Sequence, residues 1–168
     1  MNDIETLEAL FEHELATLYY VETELIDVLD EVTLEFRDDD LTEAFADHRD
    51  ETREHARRLE SVFRAVGASS RSERSSALDG VVADRQRVVE ATDDPDLVDA
   101  RSLAAGIEIE AIEVERYESL LRLAEELDYD DDVTEPLAEN RDEDAAAKKA
   151  LTAKADGSKL RKLLGKLR

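Results

Sequence analysis

The 168-residue sequence predicts an all-α protein, a four-helix bundle whose middle connection is long and carries a short extra helix. Three observations predict it. Apolar residues recur at intervals of three and four along most of the chain, the spacing of an amphipathic helix. Only five glycines and two prolines interrupt that pattern. The gaps between the periodic runs are short, long and short, so the connections differ in kind.

The first run extends from Asp3 to Phe36 through Ile4, Leu7, Phe11, Leu15, Leu18, Leu25, Leu29 and Val32. The acidic stretch 37–40 breaks it. A second helix starts near Leu41 and carries Phe45, Leu59, Val62, Phe63 and Val66, with Gly67 where a left-handed C-terminal cap is wanted. The polar stretch ASSRSERSS reads as a loop, followed by a shorter helix over 77–92 that the turn signal DDP at 93–95 ends. A third long helix runs from about Asp96 to Leu127. The fourth begins near Val133, tolerates Pro136 in its first turn and continues to about Ala155. Short links make each helix pair antiparallel, while about 30 residues join the second long helix to the third, which is ferritin-like connectivity and not a simple up-down bundle. The sequence thus divides into a bundle, residues 1–156, and a tail, 157–168.

Composition bounds the chemistry. Cysteine is absent, so disulfides and thiolate metal sites are excluded, and any metal falls to carboxylate or imidazole, the ligands of harder cations. The formal charge of −23 is unevenly spread. All six lysines lie at or after Lys148, leaving 14 arginines against 44 acidic residues before it, a charge of −30, while the last 21 residues carry eight basic side chains against one acidic. An acidic, lysine-free body fits a salt-loving cell, where molar salt shortens the Debye length to about 3 Å and screens surface repulsion. Nucleic acid is excluded as a partner for that body. The N-terminus lacks the basic start and apolar run of a signal peptide, and no stretch reaches the ~20 apolar residues of a membrane span. A cytoplasmic protein is expected.

Within the helices, polar residues interrupt apolar stripes at matching depth. Glu22 completes the line of Leu15, Leu18, Leu25 and Leu29. In the second helix His48, Glu51 and His55, at i, i+3 and i+7, project to nearly one side. In the third, Leu103, Gly106, Glu110, Glu113, Tyr117 and Leu120 share a face, with the glycine permitting close helix approach. In the fourth, Glu139, Asp142 and Glu143 fall in the corresponding region. Burying several carboxylates together is costly unless protons or divalent cations compensate them, so this pattern predicts a metal cage. The bundle template supplies one Glu from each of two helices and Glu-x-x-His from each of the others. Glu22 and Glu110 comply, Glu51 and His55 stand four apart, and the fourth helix has no histidine. His48 has hydrogen bonding as its plainer role, His13 reads as a surface residue, and Tyr19, Tyr20 and Tyr117 read as packing.

At these residues the chain resembles the YciE/YciF-type ferritin-like proteins. The resemblance rests on LYYVETEL in the first helix, FADHRDETREHARRLESVF in the second, LDGVV in the crossover and EAIEVERYESLLRLAEELDY in the third, in that order and spacing. It implies a dimer-forming bundle linked to stress responses and described as ferroxidase-like, with two iron ions, or manganese or another divalent metal, held by Glu22, Glu51, His55, Glu110, Glu113 and Glu143. Two departures stand out: Ala111 replaces a frequent His, and Lys148 a common acidic residue.

The end of the chain, KLRKLLGKLR, places Leu160, Leu163, Leu164 and Leu167 on one helical face among basic residues. Such a tail suits a partner protein, an anionic lipid or the acidic body itself. Two functions are therefore expected: a ferroxidase-type oxidoreductase with a di-metal site, or a non-catalytic dimeric stress protein whose basic tail binds a partner.

Overall fold

The computed structural model describes residues 4–157, which form five helices and no strand. The chain runs α1 (Leu7–Thr33), α2 (Asp39–Ala65), α3 (Ser76–Val89), α4 (Pro95–Glu126) and α5 (Asp131–Gly157). Four long helices make the bundle, with α1 packed on α2, α4 on α5, and α1 facing α4 as α2 faces α5. The short α3 rides on α4 within the crossover. This is the expected four-helix architecture with a helix in its long connection, and all of the expected tail except Gly157, the last residue of α5, lies outside the described part.

Helix ends differ from the sequence reading by a few residues, for reasons of capping. The Thr6 hydroxyl accepts from the Ala9 amide and starts α1 later than expected. The acidic run that interrupts the apolar pattern is the start of α2: the Asp38 carboxylate accepts from the Asp40 and Leu41 amides, and Asp39 and Asp40 sit at the positive end of the helix dipole. Asp94 caps α4 in the same way, with Pro95 following at the start of the helix, where its missing N–H costs nothing. Gly67 ends α2 at φ +74°, as expected, and the Ala68 amide reaches back to the Phe63 carbonyl at 2.8 Å.

The core runs the length of the bundle through Phe11, Leu15, Leu18, Leu25 and Leu29 of α1, Leu59, Val62 and Phe63 of α2, Leu103, Tyr117 and Leu120 of α4, and Leu137 and Leu151 of α5. A Cβ on Gly106 would lie 3.1 Å from Phe45 Cζ and 3.2 Å from Leu151 Cδ1, so the glycine leaves room on α4 for side chains of α2 and α5. The crossover is tied down by polar contacts. Glu73 donates its amide to the Ala16 carbonyl at 3.0 Å, Tyr20 donates its hydroxyl to Asp79 Oδ1 at 2.9 Å, and buried Arg85 bonds Ser102 at 2.8 Å and pairs with Glu35. No helix among the described residues is long and apolar enough to cross a membrane.

Candidate metal centre

Half-way along the bundle the apolar layers give way to ionisable ones. Glu22 of α1, His55 of α2, Glu110 and Glu113 of α4, and Asp144 of α5 are each at most 1 % exposed, and His48 of α2 is nearly so, with 11 % of its side chain accessible. Their positions follow from helical spacing, since each continues a leucine or phenylalanine line into the bundle interior. They fall into two trios, Glu22–His55–Asp144 and His48–Glu110–Glu113, in each of which the ligand atoms lie within 4.8 Å of one another.

The contacts inside the trios are close but poorly aligned. His55 Nδ1 stands 3.4 Å from Glu22 Oε2 and 3.3 Å from Asp144 Oδ1, and His48 Nε2 stands 2.9 Å from Glu110 Oε1. Yet Glu22 Oε2, His48 Nδ1, His55 Nδ1 and both oxygens of Glu110, Glu113 and Asp144 lack an aligned hydrogen-bond partner; among the described residues the only other such buried side-chain atom is Arg116 Nε. Buried polar atoms are nearly always paired, and leaving one unpaired costs about 1–3 kcal/mol. Four carboxylates crowded at one depth, with so few aligned donors among them, are a donor set that a cation would satisfy.

Around this set lies a scaffold of ordinary hydrogen bonds. Tyr117 donates to Glu22 Oε1, and its own oxygen accepts from Asn140 Nδ2 at 2.8 Å; that amide also reaches the His55 carbonyl at 3.2 Å. Arg58 bonds Asn140 Oδ1 at 2.8 Å and pairs with Glu143, whose Oε2 is 2.9 Å from His55 Nε2. These contacts fix the His55 ring from the side facing away from Asp144 and Glu22.

Electrostatics record the crowding. Burial alone would lower the histidines, but carboxylate neighbours outweigh it: Glu110, Glu51 and Asp144 hold His48 at about 10, and Glu22, Asp144 and Glu143 hold His55 at about 9. Burial, then the charges of Glu22, Asp144 and Glu110, pushes Glu113 well above the carboxylate range. Asp144 is pushed up the same way, by burial first and then Glu22, against the opposing pull of His55. Glu113 responds to Glu22 and Asp144 of the other trio, so the two trios form one continuous cluster. Tyr117 is raised by burial and by the charges of Glu22 and Asp144, and remains a hydroxyl donor.

Of the six expected ligands the structure brings four together inside: Glu22, His55, Glu110 and Glu113. Glu143 lies at the edge, 40 % exposed, held below its usual range by Arg58. Glu51 is 53 % exposed with a carboxylate oxygen 3.9 Å from His48 Nδ1, and it belongs to neither trio. The inward position three residues before His55 is instead Thr52, fully buried, whose hydroxyl donates to the His48 carbonyl at 2.8 Å. Asp144 was missed by the sequence reading and His48 was given only a hydrogen-bonding role. The signal for Asp144 was present: Val133, Leu137, Asn140, Asp144 and Leu151 form the buried line of α5, while Glu139 and Asp142 are 62 % and 70 % exposed. That line is hard to read because two of its five members are polar.

The fold and its buried carboxylate–histidine layer define a ferritin-like helical protein. The chain belongs to the family described as a domain of unknown function, DUF892, whose sequence profile matches residues 6–164. It is 27 % identical over 128 residues to protein YciF of Escherichia coli strain K12, covering 76 % of this chain and 77 % of that one. Two solved structures superpose closely. YcfI of Rhodopseudomonas palustris gives a TM-score of 0.86 at 30 % identity, covering 90 % of this chain and 96 % of its own. The E. coli stress protein YciF gives 0.84 at 28 % identity, covering 90 % and 95 %.

Proposed function

We propose that this chain is a stress-family protein that holds two divalent cations, iron foremost, and oxidises Fe(II) with oxygen or peroxide. One observation carries the reading: two trios of buried ligand atoms, contributed by four helices, that lack aligned partners within the protein. Their donor set fits hard and borderline cations, being oxygen-rich with one imidazole per trio. The charge fits as well, because four carboxylates match two divalent ions with both histidines neutral.

Glu22, His55 and Asp144 would hold one ion and His48, Glu110 and Glu113 the other. Bound iron supplies one-electron redox chemistry, which none of these side chains has. The rest falls to the protein. Tyr117 and Asn140 orient Glu22, and Arg58 with Glu143 orients His55, as second contacts do around metal ligands. The leucine layers above and below exclude bulk water, and the half-exposed Glu51 and Glu143 stand at the edge where an incoming cation first meets carboxylate.

Reconstitution of the full chain with Fe(II) in high salt, followed by elemental analysis, tests this. About two ions per chain, cut to one or fewer by Glu22→Ala combined with Glu110→Ala, is the expected result. Less than roughly one ion per two chains, unchanged by those substitutions, removes the proposal. A second reading, a non-catalytic dimeric stress protein whose basic tail binds a partner, is favoured by the protein contacts already made by Glu22 and Glu143 and by protons that can balance Glu113 and Asp144. It expects no Fe(II)-dependent oxygen uptake and a phenotype that follows the tail.

A further inference from the structure

Beside the His48 trio the bundle is not filled. An open cavity of about 360 Å³ runs from the gap between α2 and α5 into the interior, walled by Leu25, Leu29, Phe45, Ile109 and Leu151. Its size falls within the range of small-molecule sites, about 300–1,000 Å³. On the α5 side three alanines, Ala146, Ala147 and Ala150, line it beside Leu151, and the α4 side includes Gly106. Apolar interiors pack to near-crystalline density, so an apolar space of this size forfeits contacts that larger side chains would supply.

Two further observations say what would fill it. At the inner end stand His48 and Glu110, a residue only 1 % exposed, whose Oε1 faces His48 Nε2 at 2.9 Å and whose Oε2 lacks an aligned hydrogen-bond partner. Oε2 can accept a hydrogen bond from a donor carried inward. At the mouth stand Asp47, Glu51 and Glu143, on a body whose first 147 residues carry 14 basic against 44 acidic side chains, which repels anions. The three cationic groups on the lining are already engaged: Arg85 bonds Ser102 and Glu35, Lys154 donates to the Asp40 carbonyl, and His48 faces Glu110 at 2.9 Å.

We propose that this cavity is a binding site for a small uncharged aliphatic molecule with one hydroxyl end, its chain along the leucine wall and its hydroxyl toward Glu110. Because the hydroxyl would meet Glu110, which also belongs to a trio, the proposal holds for the metal-free chain. It gives the protein an organic ligand next to its ionisable cluster, a role apart from iron oxidation.

The test uses the full chain in chelator, titrated calorimetrically with 1-butanol, 1-hexanol, 1-octanol and octanoate. Each added methylene is expected to tighten binding about fourfold until the cavity is full, with octanoate at least about tenfold weaker than 1-octanol. Ala147→Phe, which fills the space, is expected to weaken 1-octanol at least about tenfold while leaving the urea midpoint in place; Ala150→Phe repeats the test from a more exposed position. Absence of saturable 1-octanol binding, octanoate binding as well as the alcohol, or unchanged affinity in both variants overturns the proposal. Failure here leaves iron stoichiometry untouched, and a wild-type chain that takes up no iron is still expected to bind the alcohol.

Discussion

At the scale of single residues, the buried ionisable cluster carries a cost in stability. Glu113 and Asp144 are fully buried carboxyl groups without aligned partners, and burial with neighbouring charge pushes both upward. A buried polar group without an aligned partner costs about 1–3 kcal/mol, a cost that an apolar side chain of similar size avoids. Glu113→Leu is therefore expected to raise the urea midpoint of the chelator-treated protein while abolishing any rise on adding Fe(II). A lowered midpoint without metal would show that Glu113 has a structural partner instead. The histidines set the pH dependence. His48 and His55 are raised to about 10 and about 9 in the fold, so their contribution is complete below the unfolded value near 6.5 and is lost as pH rises through 9 and 10. Glu113 and Asp144, also raised, act in the same direction from lower pH, their contribution falling once pH exceeds ordinary carboxyl values. Urea melts of the metal-free chain from pH 6 to 10 are expected to show stability falling throughout; a rise over that range contradicts these environments.

At the scale of elements, the sequence was legible where apolar spacing is regular and obscure where polar residues sit on the inward line. α1 reads clearly because Glu22 is the single exception among leucines. α2 is harder, since His48, Thr52 and His55 occupy three successive inward positions and Glu51, one residue from the line, presents the more obvious ligand. On α5 a shift of one residue separates Glu143 at the edge from Asp144 inside, and only packing against α2 and α4 decides between them. Helix starts were legible in part, because the same aspartates that break an apolar pattern also cap the next helix. Asp38→Ala is expected to cost about 1 kcal/mol through the lost bonds to the Asp40 and Leu41 amides, measured by chemical denaturation. On the α4–α5 side, Tyr117→Phe removes the donor to Glu22 and the acceptor for Asn140, both fully buried. A loss of about 1–3 kcal/mol is expected from the groups left unsatisfied, with oxygen kinetics after iron loading reporting whether Glu22 is mispositioned.

At the scale of the whole molecule, the fold joins two demands. A bundle of leucine layers supplies rigidity, and the long crossover, clamped by Arg85 and Tyr20, lets its two helix pairs meet with four ionisable faces at one depth. The surface answers a separate demand. With a formal charge of −23, the folded chain repels itself, and salt relieves that repulsion as the Debye length falls from about 10 Å at 0.1 M to about 3 Å at 1 M. The urea midpoint is expected to rise steadily with KCl over that range; a midpoint independent of salt would mean that the acidic surface has another purpose. The central claim concerns the interior. An anomalous difference map from crystals grown with Fe(II), recorded on both sides of the iron edge, tests it most directly. Two peaks, one among Glu22, His55 and Asp144 and one among His48, Glu110 and Glu113, are predicted, and a map with no iron-specific peak at either trio would contradict the account.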